Sequence, residues 1–394
     1  MSTPIALPRR SRRALTIISL LVAVGAVLPW LIDPETGYRY ATDLDVYRKG
    51  AQAFLAGENL YTQDYVVGKV DDIVLPFTYP PLAAMLFTPL ALLPYTLGLV
   101  IWTVGSVALL WWCIGIVLRH AAPALIDADR RIIATWILPA ALLTEPVRET
   151  LAFGQINIVL MALVLADTLT RRTWLPRGVL IGFAAAIKLT PAVFILVFLV
   201  RRRWRDAAVT FASGVAFTLL AAAISWENSW TYWFGTLADT GRIGGEAYSS
   251  NQSIRGVLTR LAEPGERADS LVWLVLVLAA LALIVWAMWR AESMLATVLL
   301  ASTVALVCSP ISWSHHWVWL VPVAITLFAG RRYVLGVLVA AATFIAPHWL
   351  LPHSNGVEHD WAWWAQIVGS SYLVVTLAVV IAALVSPRVL AGRG

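Results

Sequence analysis

Residues 178–200 read GVLIGFAAAIKLTPAVFILVFLV, and the topology of the chain turns on whether this stretch crosses a membrane once or folds back on itself. It is long enough for the roughly 20 residues that span a bilayer. Both flanks are basic, with Arg177 before it and Arg201, Arg202, Arg203 and Arg205 after it. Short loops rich in Lys and Arg stay on the cytoplasmic side, so a single crossing would strand four arginines on the wrong face. Lys188-Leu189-Thr190-Pro191 interrupts the middle. Pro191 has no N–H and disfavours helix at the residue before it. The expectation is a broken hairpin of two half-helices with both ends cytoplasmic. Such a break persists only where protein or a wet cavity covers the freed backbone groups.

The rest of the chain is built around this hairpin. Apolar residues make up 60% and charged residues 13%, with mean hydropathy +0.76; a soluble domain carries about 25% charge. The fold class expected is an all-α polytopic membrane protein of about 11–12 transmembrane segments, in one domain over 1–394. The spans are read at 15–32, 95–118, 132–145, 154–170, 178–200, 207–225, 270–289, 293–310, 316–330, 333–349 and 364–385, with 82–93 an interfacial or re-entrant helix. Ser11-Arg12-Arg13 resembles a twin-arginine signal, but no small-x-small cleavage site follows, so the first span is read as retained.

Arg9, Arg10, Arg12 and Arg13 place the N-terminus in the cytoplasm. With the hairpin in place, Arg130, Arg131, Arg171, Arg172, Arg290, Arg331, Arg332, Arg388 and Arg393 all fall inside, including the C-terminus. Loops 33–94, 146–153, 226–269, 311–315 and 350–363 then face outside and hold nearly all the unusual polar residues. A single crossing would invert everything after position 200.

Several functions are excluded by what the chain lacks. The net charge of +6 lies in short topogenic loops, which argues against nucleic acid. No Walker A, GxGxxG or HExxH pattern gives a nucleotide or zinc-protease site. Cys113 and Cys308 sit in apolar spans and read as small buried hydrophobes. Adjacent histidines on a helix diverge by about 100°, so His315 and His316 do not suit one metal ion, and no metal site or cofactor is expected.

Four polar constellations remain. The first is Asp43 and Asp45 in Thr42-Asp43-Leu44-Asp45-Val46-Tyr47, set among Tyr40, Tyr47, Tyr61, Tyr65 and Tyr79. Carboxylates beside a membrane exit are expensive and mark function, and tyrosines suit sugars as well as membrane interfaces. In a helix the two acids point to different faces; in an extended turn they share one. The second is Ser309-Pro310-Ile311-Ser312-Trp313-Ser314-His315-His316, where imidazoles can move protons or donate to phosphate. The third joins Arg148 with Gln155 and Asn157 at the head of an apolar helix. The fourth is Asn251-Gln252-Ser253 with Arg255, in the outer loop that also carries Arg242. For each, a bland reading competes: a solvated loop, an interfacial aromatic belt or a capped helix end.

Taken in order, Asp43-Leu44-Asp45-Val46-Tyr47, Phe77-Thr78-Tyr79-Pro80-Pro81, Gly154-Gln155-Ile156-Asn157, Ala186-Ile187-Lys188-Leu189-Thr190-Pro191, Asn251-Gln252-Ser253 and the Ser309–His316 stretch resemble glycosyltransferase family 87 along nearly the whole chain. The resemblance implies a GT-C fold and catalysis at the extracytoplasmic face of the plasma membrane. It implies a polyprenyl-phosphate sugar donor, mannose foremost, and a glycolipid acceptor of the phosphatidylinositol mannoside type. It implies Asp43 as base and His315 or His316 at the donor phosphate. Asp45 is the alternate base, and Tyr47, Tyr79, Arg148, Gln155, Asn157, Asn251, Gln252 and Arg255 are candidate substrate-binding residues. An arabinofuranosyltransferase, a lipid-linked sugar flippase and a structural scaffold remain as alternatives. Of these, the flippase would need midplane charge, for which only Lys188 qualifies.

Overall fold

The computed structural model describes residues 9–32, 41–62, 64–66, 74–171, 174–239, 244–263 and 269–392. Tyr40, Arg172, Arg242 and Arg393 lie outside the described residues.

In chain order the helices are α1 (Arg9–Ile32), α2 (Thr42–Leu55), α3 (Pro81–Ala91), α4 (Tyr95–Ala121), α5 (Asp127–Leu143), α6 (Glu145–Phe153), α7 (Asn157–Leu169), α8 (Val179–Ile187) and α9 (Ile195–Val200). They continue as α10 (Trp204–Ile224), α11 (Trp226–Phe234), α12 (Ile254–Leu261), α13 (Ser270–Arg290), α14 (Met294–Cys308), α15 (Leu320–Ala329), α16 (Tyr333–Ile345), α17 (Trp363–Gly369) and α18 (Ser371–Val385). Tight 3₁₀ turns at Thr190–Phe194 and Ser314–Trp319 lead into α9 and α15. A small antiparallel hairpin, β1 (Asp64–Val66) and β2 (Val74–Pro76), pairs Tyr65 with Leu75.

Among the described residues four helices, α1, α4, α10 and α13, are long and apolar enough to cross a bilayer. The number becomes six if α6 with α7 and α17 with α18, bent by 114° and 75°, each count as one span. This is fewer than the eleven stretches read from hydropathy. The other apolar helices are 10–17 residues long, because turns and prolines cut the apolar runs and neighbouring helices cover the breaks.

The two ends of the bundle differ in chemistry. At one end Arg12 meets Asp129 at 3.1 Å, Arg201 donates to the carbonyls of Ala291 and Ser293, and Arg290 donates to that of Leu384 at 2.6 Å. At the other end Asn228 on α11 accepts from the Leu60 backbone at 2.7 Å. There too the buried carboxylate of Glu145 gathers Ser314 at 2.6 Å, Tyr372 at 2.7 Å and Trp349 at 2.8 Å.

Residues 178–200 do fold back. Gly178, at φ +100°, packs so closely on the head of α10 that a Cβ there would lie 2.4 Å from the Asp206 carbonyl oxygen. The return strand of the hairpin ends at Arg201–Arg203, immediately before α10. Both ends therefore sit at the basic end, where Asp167 at the foot of α7 accepts from the backbone of Gly178 and Ile181. Lys188, at the tip, reaches Asn157 at the opposite end of α7 with 3.3 Å between Nζ and Oδ1. The hairpin carries one cation from the basic face to the level of the polar loops.

Candidate active site

Helix α2 forms because Asp43 and Asp45 complement its amino-terminal dipole, and because Leu44, Tyr47 and Ala51 bury one side. Its helicity separates the two acids, since residues two apart do not share a face. Asp45 turns to Lys49, one helical turn on, at 3.2 Å. Asp43 and Tyr47 are four apart and share the inner face. Replacing Asp45 by Asn weakens the Lys49 pair and leaves Asp43 in place, so turnover should stay within about threefold of the native rate. A larger fall in a sugar-transfer assay would reassign the base.

Around Asp43 the fold assembles a polar ring from three distant segments. The Tyr47 and Tyr79 hydroxyls lie 2.9 Å apart, and both donate to Gln155 Oε1, at 3.0 and 3.2 Å. With its oxygen held there, the Gln155 amide donates to the Asp43 carboxylate. Asp43 is pushed up to about 6 because burial penalises its charge, only partly offset by that amide and by the Lys188 charge. A carboxyl poised there is ionised at neutral pH yet more basic than an ordinary aspartate.

Gly154 makes this meeting possible. It closes α6 in the left-handed conformation, φ +68°, at the 114° bend into α7. A Cβ there would stand 2.6 Å from that of Leu44 and 3.2 Å from that of Ala41. Gly154→Ala combines backbone strain with a collision against α2, and is expected to cost about 3 kcal/mol or more. A lowered melting midpoint with reduced turnover would register it; an unchanged midpoint would contradict the close approach.

Lys188 sits at the centre. Its Nζ is 3.3 Å from Asn157 Oδ1, 3.4 Å from His316 Nε2 and 5.3 Å from the centre of the Tyr79 ring. An ammonium has only donors, so the His316 Nε2 facing it accepts, which puts the imidazole proton on Nδ1. Asn157 is oriented in turn by donating to the His315 carbonyl at 2.9 Å, to which Thr150 also donates at 2.8 Å. The His315 ring packs against Phe153 and, edge-on, against His316.

Below Lys188, Asn157 and His316 opens a narrow cleft, floored by apolar side chains such as Leu160, Val164, Phe194, Leu306 and Trp319. A site charged at its rim and greasy in its depth matches an amphiphile with an anionic head and a hydrocarbon tail.

The other expected site residues fall elsewhere. Asn251 and Gln252 are fully buried and staple their own segment to the histidine turn. Asn251 donates to the carbonyls of Glu246 and Pro310 and accepts from the Ser312 backbone. Gln252 donates to the carbonyls of Ser249 and Gly369 and accepts from the backbone of Tyr372. Arg255 is paired with Glu246 at 2.9 Å. Arg148 is half-exposed, 3.7 Å from Glu149. None of these lines the cleft. Two further residues stand out instead. Lys188, read in the sequence as the hairpin tip and as the midplane charge a flippase would need, meets Asn157 and His316; Glu145 holds the histidine turn by accepting from Ser314.

The profile of glycosyltransferase family 87 matches residues 77–310. A "polyprenol-phosphate-mannose-dependent alpha-(1-2)-phosphatidylinositol mannoside mannosyltransferase" of Mycobacterium tuberculosis (strain ATCC 25618 / H37Rv) is 40% identical, covering 95% of this chain and 92% of the relative. Its counterpart by name in Mycolicibacterium smegmatis is 38% identical, over 93% and 88%. A "polyprenol-phosphate-mannose-dependent alpha-(1-2)-phosphatidylinositol pentamannoside mannosyltransferase" of the same organism is 37% identical, over 96% and 93%. Profile, relatives and apolar helical bundle agree: the chain is a multi-pass membrane protein and belongs to glycosyltransferase family 87, a GT-C family of glycosyltransferases.

Proposed function

We propose that the protein moves a mannosyl residue from polyprenyl-phosphate-mannose to a phosphatidylinositol-mannoside-type glycolipid, forming an α-1,2 link at the extracytoplasmic face, with both termini in the cytoplasm. The observation that carries this reading is the convergence of Asp43, Gln155, Lys188 and His316 over an apolar cleft.

In the proposed reaction the prenyl chain lies along the cleft and the phosphate meets Lys188. An acceptor hydroxyl enters from the α2 side. Asp43 takes its proton while its oxygen forms the new bond to the anomeric carbon. The bond from that carbon to the phosphate oxygen breaks, and its electron pair leaves on polyprenyl phosphate. One displacement inverts the configuration, turning a β-linked donor into an α product. Only one carboxylate is needed, unlike glycoside hydrolysis. Lys188 stabilises the charge gathering on the leaving phosphate. His316 and Asn157 hold Lys188 in place.

The named relatives favour mannose over arabinofuranose as donor. The flippase reading loses its main support, because Lys188 stands at the level of the polar loops, tied to Asn157 and His316 at the head of the cleft. The test is reconstitution in proteoliposomes with radiolabelled polyprenyl-phosphate-mannose and phosphatidylinositol mannosides. A mannoside longer by one sugar, labile to an α-1,2-mannosidase, is expected. Label crossing a sealed vesicle without a new glycosidic bond would overturn the reading.

A further inference from the structure

We infer that the α4–α5 hairpin holds a binding pocket for an anionic glycerophospholipid at the basic end of the bundle, across the membrane from the cleft. The separation follows from α4 itself. Arg48 on α2 stacks over Tyr95 at its start, 5.5 Å from the ring centre, while Arg119 stands in its last turn. Between Gly98 and Arg119 the helix rises about 31 Å at roughly 1.5 Å per residue, the thickness of a hydrocarbon core.

The pocket there is a cleft of about 390 Å³ whose wall includes Trp111, Trp112, Gly115, Arg119, Arg130 and Arg131. Three arginines face a single acid, Asp127, which lies 2.7 Å from Arg130 and 3.9 Å from Arg119. The pocket therefore keeps an excess of positive charge. The Nε of Arg130 finds no acceptor among the described residues, so the guanidinium beside the pocket keeps unused donor capacity. Charge is confined to the outer rim. Two turns deeper, Trp111 is fixed by donating to Thr135 at 3.1 Å, and Gly115 between them has open space where a Cβ would stand. From Arg119 to Trp111 is about 12 Å of helix, with guanidinium at the headgroup level, then an open floor, then indole at the acyl level. A free phosphate would need only the rim. A phosphodiester bearing acyl chains uses the whole gradient, and basic pockets between helices at this depth suit anionic headgroups.

Native mass spectrometry of the delipidated full chain, titrated with dioleoyl phosphatidylglycerol and dioleoyl phosphatidylcholine, tests this. One phosphatidylglycerol should be retained at least tenfold more strongly than phosphatidylcholine. The double variant Arg119→Gln/Arg131→Gln should erase that preference. Gly115→Leu fills the open floor while improving helix propensity. It should lower retention of both lipids without lowering the melting midpoint, so loss of fold in the double variant does not blunt the test. Equal retention of the two lipids by the native chain, an unchanged preference in the double variant, unchanged retention in Gly115→Leu, or displacement of phosphatidylglycerol by millimolar glycerol phosphate would each overturn the proposal.

Discussion

Asp43→Asn should lower sugar transfer by about three orders of magnitude, the middle of the range for losing a positioned base, while leaving donor binding nearly intact. Two pH measurements separate this role from a structural one. The carboxylate is the active form, so native kcat/KM should fall with unit slope below about pH 6, where burial has set Asp43. Stability should move in the opposite sense. Because the folded state holds the Asp43 proton more tightly than the unfolded chain, native stability is lost as pH rises through the window from about 3.8 to about 6. The Asn variant never carries that buried charge. Its melting midpoint should therefore exceed the native one at pH 7 and match it near pH 4. An inactive variant that is also less stable at pH 7 would mean that Asp43 holds the fold rather than the reaction.

Lys188→Met should cost about 10²–10³ in turnover, the scale of losing one preorganised group at developing charge. Its signature is a coupled shift. The Lys188 charge draws the Asp43 proton affinity down, so removing it should move the acid limb of the rate profile above about pH 6. A leaving-group role alone would lower the rate and leave that limb where it is. Lys188→Arg is expected to rescue poorly, because a planar guanidinium cannot occupy the slot between Asn157 and His316.

The hairpin was legible because arginines flank it and Pro191 breaks it; the charge rule and backbone sterics act locally, within reach of sequence. The positions of most apolar helices were legible for the same reason. Their lengths were not. The 114° bend at Gly154 depends on its contact with Leu44, about a hundred residues away in the chain. Whether Asp43 and Asp45 share a face stayed open until residues 42–55 proved helical, since helix and turn aim the pair differently. Gln155 and Asn157 were marked by polarity at the head of an apolar helix, and both meet the centre of the site. Asn251 and Gln252 carried the same mark and serve the backbone instead. Sequence registers that a buried amide needs partners, not whether a carbonyl of its own chain supplies them. Lys188 was visible as an anomaly, but its partners come from α7 and the histidine turn, which only the packing brings together.

The doubled-back segment also bears on biogenesis. A stretch that enters and leaves through the same surface, with an unpaired kink at its apex, is poorly stable in lipid alone. Its cover comes from α7, α10 and α14, which pack against the two half-helices and the turn between them. Lys188 is then seated only after α14 has been made, and a nascent chain stalled before that docking has an incomplete groove that offers quality-control proteases an opening.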